Sequence, residues 1–228
     1  MPPPIPAATP TAPHSRPKRS RRKAERAGEL LAAALDLFVE KGYAATRVEE
    51  VAQRAGVSKG TLFLYFATKQ ALFTAVVHEN LGKQVAHWDA AIDQFEGSSA
   101  ALVHASLLGW WRRVGSTKAS GITRLVQSEA QNFPEIAAYY QEHFSRPGLA
   151  LMRRILQRGI GRGEFRPIDP SAGAYALLGI IIFMAMWKHT RTLFLEPGTL
   201  LDPEAHIAQQ VDIVLNGFSQ PVAKGKAP

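Results

Sequence analysis

Along most of this chain apolar residues recur at helical spacing, and nowhere do they alternate long enough to specify a strand. Leu31, Ala34, Leu35 and Phe38 mark one face of a helix over 25–41, which Gly42 ends. Val48, Val51, Ala52 and Ala55 repeat the pattern at i, i+3, i+4 and i+7. Thr46 and Glu49 fit the S/T-x-x-E capping box, so this second helix is expected to start at Arg47 and to end by residue 53. Gly56 then supplies a left-handed helix end, and Val57 returns an apolar anchor to the core. Ser58 caps a third helix over 58–65, whose first turn is Lys59-Gly60-Thr61. Two short helices, a tight Gly-containing turn and a polar, basic start to the second are the parts of a DNA-binding helix-turn-helix.

The rest of the pattern is also helical. Thr68 caps a fourth helix over 69–94 whose buried face begins with Leu72, Phe73, Val76 and Val77. Further helices are expected at 100–114, 119–131, 134–161, 171–191 and 203–218. Pro134, Pro170 and Pro203 suit first helical turns, the last two behind the caps Asp169 and Asp202, while Pro147 is expected to kink or split 134–161. Ala172 to Trp187 is apolar all round. Its sixteen residues fall short of the ~20 that a membrane span needs, and charges close both ends, so it reads as a core helix. The fold class is all-α.

The window Thr46 to Lys69 resembles the operator-binding signature of the TetR/AcrR transcriptional regulators. Val51-Ala52, Ala55-Gly56-Val57-Ser58, Gly60-Thr61-Leu62, Tyr65-Phe66 and Lys69 stand in register with it, and Phe38 to Gly42 resembles the end of the preceding helix. The resemblance implies an N-terminal three-helix head joined to a larger helical ligand-binding and dimerisation domain. It implies DNA contacts from Thr46, Arg47, Ser58, Lys59, Gly60, Thr61, Phe63, Leu64, Tyr65 and Lys69. Lys59 and Thr61 are assigned to base edges, Gly60 to close backbone approach, and Thr46, Tyr65 and Lys69 to phosphates. Two positions depart from the family pattern. Phe63 has lost a tyrosine hydroxyl that would reach a phosphate, and Leu64 offers only an apolar contact, for instance to a thymine methyl. The last two helices resemble the pair that forms a four-helix dimer interface in such regulators. Ile182, Ile207, Val211, Val214 and Phe218 are its candidates here, although the same apolar stripe suits an intrachain core.

Charge changes the picture at the N-terminus only. Seven cations and one anion lie before Gly28, against 20 cations and 18 anions in the remainder of a chain whose net charge is +8. Six prolines in Met1–Ser15 favour disorder, and the basic run that follows suits phosphates or a minor groove, or else a solvated tail. The expected organisation is a disordered arm over 1–24, the head over 25–70, the ligand-binding and dimerisation domain over 71–220, and a disordered tail over 221–228.

Candidate catalysis is sparse. Cysteine is absent, which excludes thiolate metal sites and suits a reducing cytoplasm. The histidines form no i, i+3 or i, i+4 pair, and Gly159-x-Gly161-x-Gly163 runs into Glu164 where a dinucleotide fingerprint needs glycine. No enzyme, metal or cofactor is expected. Trp110, Trp111, Phe133, Phe144, Phe183 and Trp187 are candidates to line a site for a small apolar or aromatic effector, with simple core packing as the alternative for each. The reading is a cytoplasmic, ligand-responsive regulator, a repressor that binds a palindromic operator as a homodimer. A ligand-sequestering helical protein without operator readout, or an architectural DNA-binding protein without effector, would fit the same residues less fully.

Overall fold

The computed structural model describes residues 18–190 and 200–216, with side chains from residue 22 onward. Residues 1–17 of the expected 1–24 arm, the expected tail at 221–228 and the interface candidate Phe218 lie outside the described residues. Every regular element among them is helical.

Helix α1 (Lys18–Lys41) begins inside the basic run, so the arm expected to be disordered through residue 24 is already helical from Lys18. No proline follows Pro17 in that run, and Arg, Lys, Ala and Glu are strong helix formers. Gly42, at φ +86°, ends the helix. Helix α2 (Val48–Arg54) starts one residue later than the capping box implied. Its cap is Arg47, whose backbone N–H donates to Glu50 Oε2 at 3.4 Å, because the Thr46 hydroxyl is engaged elsewhere. Gly56, at φ +66°, turns the chain, and Val57 N–H closes on Ala52 O at 2.9 Å. Helix α3 (Lys59–Phe63) is capped by Ser58, whose Oγ accepts from Thr61 N–H at 3.1 Å.

Helix α4 starts behind its cap Thr68 and is continuous: Lys69–Val77, a π-helical turn His78–Gly82, then Lys83–Asp93. Helix α5 is Ser99–Trp110 ending in a π-helical turn Trp111–Gly115, and α6 is Ser120–Glu129. Helix α7 runs Pro134–Tyr140, a π-helical turn Gln141–Ser145, then Arg146–Gly161. Pro147 neither splits nor stops it. The proline has no N–H for the His143 carbonyl, and the widened turn immediately before it absorbs the mismatch. Helix α8 (Pro170–His189) is capped by Asp169, and α9 (Pro203–Asn216) follows Asp202.

The α1–α3 head is sealed by Phe38, Tyr43 and Phe73, with ring centroids 5.3 to 5.7 Å apart. It is fastened to the body at several points. Tyr43 packs against Phe133 at 4.8 Å, Glu129 Oε1 accepts from Ala44 N–H at 3.2 Å, and Lys118 pairs with Asp36 at 2.7 Å. Gly121 permits the close approach of α6 to α1, since a Cβ there would fall 2.6 Å from Val39 Cγ1. Helix α8 is long and apolar enough to cross a membrane. Here it packs on α5, α6, α7 and α9, with Ala174, Leu177, Met184 and Ala185 fully buried.

Candidate nucleic-acid interface and ligand cavity

The helix-turn-helix presents its second helix outward. Leu62 anchors α3 in the core at 0% exposure, while Ser58, Lys59, Gly60, Phe63 and Leu64 are exposed and Thr61 and Tyr65 are half-buried. A Cβ at Gly60 would meet only Ser58 Oγ, at 3.8 Å, so the first turn of α3 is open to an approaching surface. Lys59 Nζ pairs with Glu49 Oε1 at 2.6 Å across the turn and lies 5.8 Å from the Phe63 ring centroid. That ammonium holds the Glu49 carboxyl below its ordinary pKa. Leu64 is 81% exposed and Phe63 40%, an apolar tip on an otherwise polar face.

Two of the residues expected at phosphates are employed differently. Thr46 is 1% exposed, and its hydroxyl donates to Gly42 O at 2.7 Å and Leu37 O at 3.2 Å. It ties the α1–α2 connection down from beneath. Lys69 directs its ammonium at the carbonyls of Tyr43, Ala44 and Thr46, at 2.8, 3.2 and 3.2 Å, and sits 4.6 Å from the Tyr43 ring centroid. An ammonium has three hydrogens, and all three are used. Desolvation lowers the Lys69 pKa, with the Glu129 carboxylate pulling the other way. Arg47 is exposed beside the same connection.

The body holds an apolar cavity of about 160 Å³ enclosed by α4 to α8. Of the six aromatic residues expected to line it, Trp110 and Phe144 do so. The other four are structural. Trp111 stacks toward Trp187 at 6.5 Å inside the core, Phe133 packs on Tyr43 at the head–body joint, and Phe183 faces His206 at 5.3 Å. Composition marked these as aromatic helical positions but carried no sign of which helix face borders the void. The wall residues that the sequence did not single out include Val85, Trp88 and Ile92 on α4 and Ile181 on α8, while Ile182, expected at a dimer interface, lines the cavity instead. Among the described residues no charged side chain lines the cavity. Its polar groups are few: Thr123 Oγ1 and Tyr140 OH bond each other at 2.9 Å, with Ser106, Ser145 and Gln127 nearby on the wall. Burial pushes the Tyr140 phenol up to about 12, so it stays protonated.

The expected dimer residues divide in the same way. Ile207 and Val211 are 1% and 0% exposed, buried where α9 packs on α5 and α8, and Ile182 lines the cavity. Ile207 and Val211 are thus core of this chain and unavailable to a partner. Val214 is 37% exposed, and the outer face of α8 carries Tyr175, 58% exposed, with Ala172, Ala176 and Gly179 exposed beside it.

Among the described residues no group of three His, Asp or Glu side chains is placed to hold a metal ion. Comparison with known proteins agrees with the shape of the molecule. Residues 30–76 match the family described as bacterial regulatory proteins, tetR family, and residues 96–193 match the tetracyclin repressor-like C-terminal domain. The HTH-type transcriptional repressor KstR2 of Mycolicibacterium smegmatis is 25% identical over 206 residues, covering 90% of this chain and 96% of KstR2. The HTH-type transcriptional regulator RutR of Escherichia coli is 45% identical over 64 residues, 28% of this chain and 30% of RutR. The structure of the transcriptional regulator FadR from Bacillus subtilis, in complex with stearoyl-CoA, superposes with a TM-score of 0.66 at 20% identity, covering 84% of this chain and 99% of FadR. With a helix-turn-helix whose reading helix is exposed, and both domains of the family matched in order, the chain belongs to the TetR family of bacterial transcriptional regulators.

Proposed function

We propose that the protein is a cytoplasmic repressor that binds a palindromic operator as a homodimer and is released by a small apolar or aromatic effector held in the α4–α8 cavity. One observation carries this reading. Helix α4 is a single rod whose first turn is locked to the α1–α2 connection through Lys69, and whose far half supplies Val85, Trp88 and Ile92 to the cavity wall. A ligand that displaces those side chains therefore acts on the element that orients the head. At the DNA, Lys59 and Thr61 read base edges, Gly60 allows close approach, Leu64 meets an apolar base group, and Arg47, Ser58 and Tyr65 face the backbone. The basic start of α1 adds phosphate contacts. Two subunits join through the outer faces of α8 and α9.

A second reading of the effector is favoured by an open cleft next to the cavity, lined by Arg158, Arg162 and an Arg154 already paired with Asp93, and sharing Ile92 with it. Arg158 Nη1 is buried there without a partner. An apolar chain carrying an anionic head would use both spaces, and the FadR relative was solved with stearoyl-CoA.

Operator selection from a random-sequence DNA library, followed by footprinting and measurement of bound mass, tests the proposal. A two-fold symmetric site occupied by an even number of subunits is expected. Binding without sequence enrichment would overturn it.

A further inference from the structure

We infer that Glu49 and Lys59 together read one oriented G·C pair in each half-site, Lys59 donating to the guanine and Glu49 accepting from the cytosine 4-amino group. The inference rests on the operator reading and adds which base pair is read and how its reverse is rejected. Glu49 occupies the carboxylate position of the expected capping box, but that work falls to Glu50. Glu50 takes the Arg47 N–H and pairs with Lys41 at 2.8 Å. Glu49 meets Lys59 instead, at 2.6 Å, and both side chains are 55% exposed beside the open first turn of α3. A carboxylate on a surface that approaches a polyanion costs affinity. Its presence there calls for a gain in selectivity, obtained by repelling the wrong sequence.

The pair fits one pattern of the major groove. After its bond to Glu49 the Lys59 ammonium keeps two hydrogens to donate, and an ionised carboxylate has lone pairs beyond the one Lys59 takes. Donor and acceptor stand 2.6 Å apart, close to the ~2.9 Å that separates guanine O6 from cytosine N4 within their own hydrogen bond. Guanine N7 adds a second acceptor on the lysine side. Inverted to C·G, the pair sets guanine O6 and N7 against the carboxylate, acceptor against acceptor, and A·T reverses the order in the same way. T·A keeps the order but turns its methyl group toward Lys59 and adenine N7 toward Glu49. Only G·C suits both side chains.

Parallel selections from a random-sequence DNA library with wild type and Glu49→Ala are the test. Glutamine would keep an acceptor for the amino group, so alanine is the informative change. Glu49 is exposed and alanine is the better helix former, so the variant is expected to fold. Wild type is expected to enrich a G·C pair at one position of each half-site that Glu49→Ala leaves free, with the other positions shared. Titrations then compare the selected duplex with one inverted to C·G at that position in both half-sites. The inversion is expected to weaken wild type about tenfold and Glu49→Ala less than about threefold. Both duplexes carry the same charge, so the general gain from losing an anion cancels in the ratio. Replacing the cytosine by 2-pyrimidinone, which lacks the 4-amino group, should weaken wild type and leave Glu49→Ala unchanged. The same preference at every position in both proteins would overturn the inference while the operator reading stands. Equal weakening of both proteins by the 2-pyrimidinone duplex would overturn it by reducing Glu49 to a support for Lys59. Failure of wild type to enrich any sequence would overturn the inference and the operator reading together.

Discussion

Lys69 clasps Tyr43 twice: its ammonium lies 4.6 Å from the centre of the phenol ring and donates to the Tyr43 carbonyl at 2.8 Å. Through Ala44 and Thr46 it holds the two further carbonyls of the connection that leads into the helix-turn-helix. Lys69→Met is therefore expected to cost about 2 kcal/mol of stability through lost charge-assisted hydrogen bonds, and to lower the melting temperature. The salt dependence of DNA binding should change little, because this charge faces inward. Unchanged stability with a flatter salt dependence would return Lys69 to a phosphate.

The reading helix makes a prediction that separates folding from function. Leu64 is 81% exposed and packs on little, so Leu64→Ala should shift stability by less than about 0.5 kcal/mol. It should nevertheless weaken the selected operator more than a random duplex. The Lys59–Glu49 pair adds a converse case. Glu49→Gln removes an anion from the DNA-facing side and frees Lys59, so affinity should rise about fivefold at low salt and converge with wild type at high salt. Titrations across a salt series read both effects. Lower affinity in Glu49→Gln would mean that the pair pre-positions Lys59 for its base.

Much of the head was readable from residue order because its signals are local. Ser58 and Thr68 cap the helices they were expected to cap, and Gly56 takes the left-handed turn that its place after Ala55 required. Thr46 was misread for a physical reason. A threonine three residues before a glutamate fits a capping box, yet the nearby Gly42 and Leu37 carbonyls took its hydroxyl instead. The body was harder to read. The spacing of Ile207 and Val211 marks a buried stripe, but periodicity cannot say whether the covering surface belongs to the same chain. Trp110 and Trp111 are adjacent and chemically identical, and only the packing of α4 to α8 decides which borders the cavity. Trp88 was missed because it lies on the far half of α4, beyond the stretch whose apolar spacing was strongest.

Assembly can be tested on the same distinction. Val211→Asp places a charge in a fully buried site and should abolish cooperative folding. Tyr175→Glu, on the exposed outer face of α8, should instead leave a folded monomer with weakened operator binding. Light scattering behind size exclusion, with circular dichroism, separates the outcomes. A fully dimeric Tyr175→Glu would move the interface away from this face.

Stability should depend on pH through His189, whose Nε2 lies 3.1 Å from the Ser120 hydroxyl. Burial holds its pKa below the ordinary 6.5, with the Arg124 and Lys188 charges acting in the same direction. The unfolded chain thus takes up the proton first as pH falls. The contribution is fully present above 6.5 and declines between 6.5 and the depressed folded value. His206, lowered by desolvation against Phe183, adds to the decline. Melting temperatures from about pH 7.5 to about 5.5 should fall for wild type and fall less for His189→Gln. Identical slopes would remove His189 from the account.

Occupation of the cavity is proposed to be felt at the DNA through α4. Gly148 lines the cavity from α7, and a Cβ there would meet nothing within 4 Å, so Gly148→Leu is expected to take up room that a ligand needs while leaving Val85, Trp88 and Ile92 of α4 in place. The decisive measurement is the anisotropy of a labelled, library-selected operator titrated with wild type and with Gly148→Leu, each with and without acetophenone. Similar operator affinity is expected for both proteins without ligand, with release of wild type by acetophenone and no release of Gly148→Leu. Equal release of the two proteins, or retention of wild type on its operator while calorimetry shows the cavity occupied, would contradict this coupling.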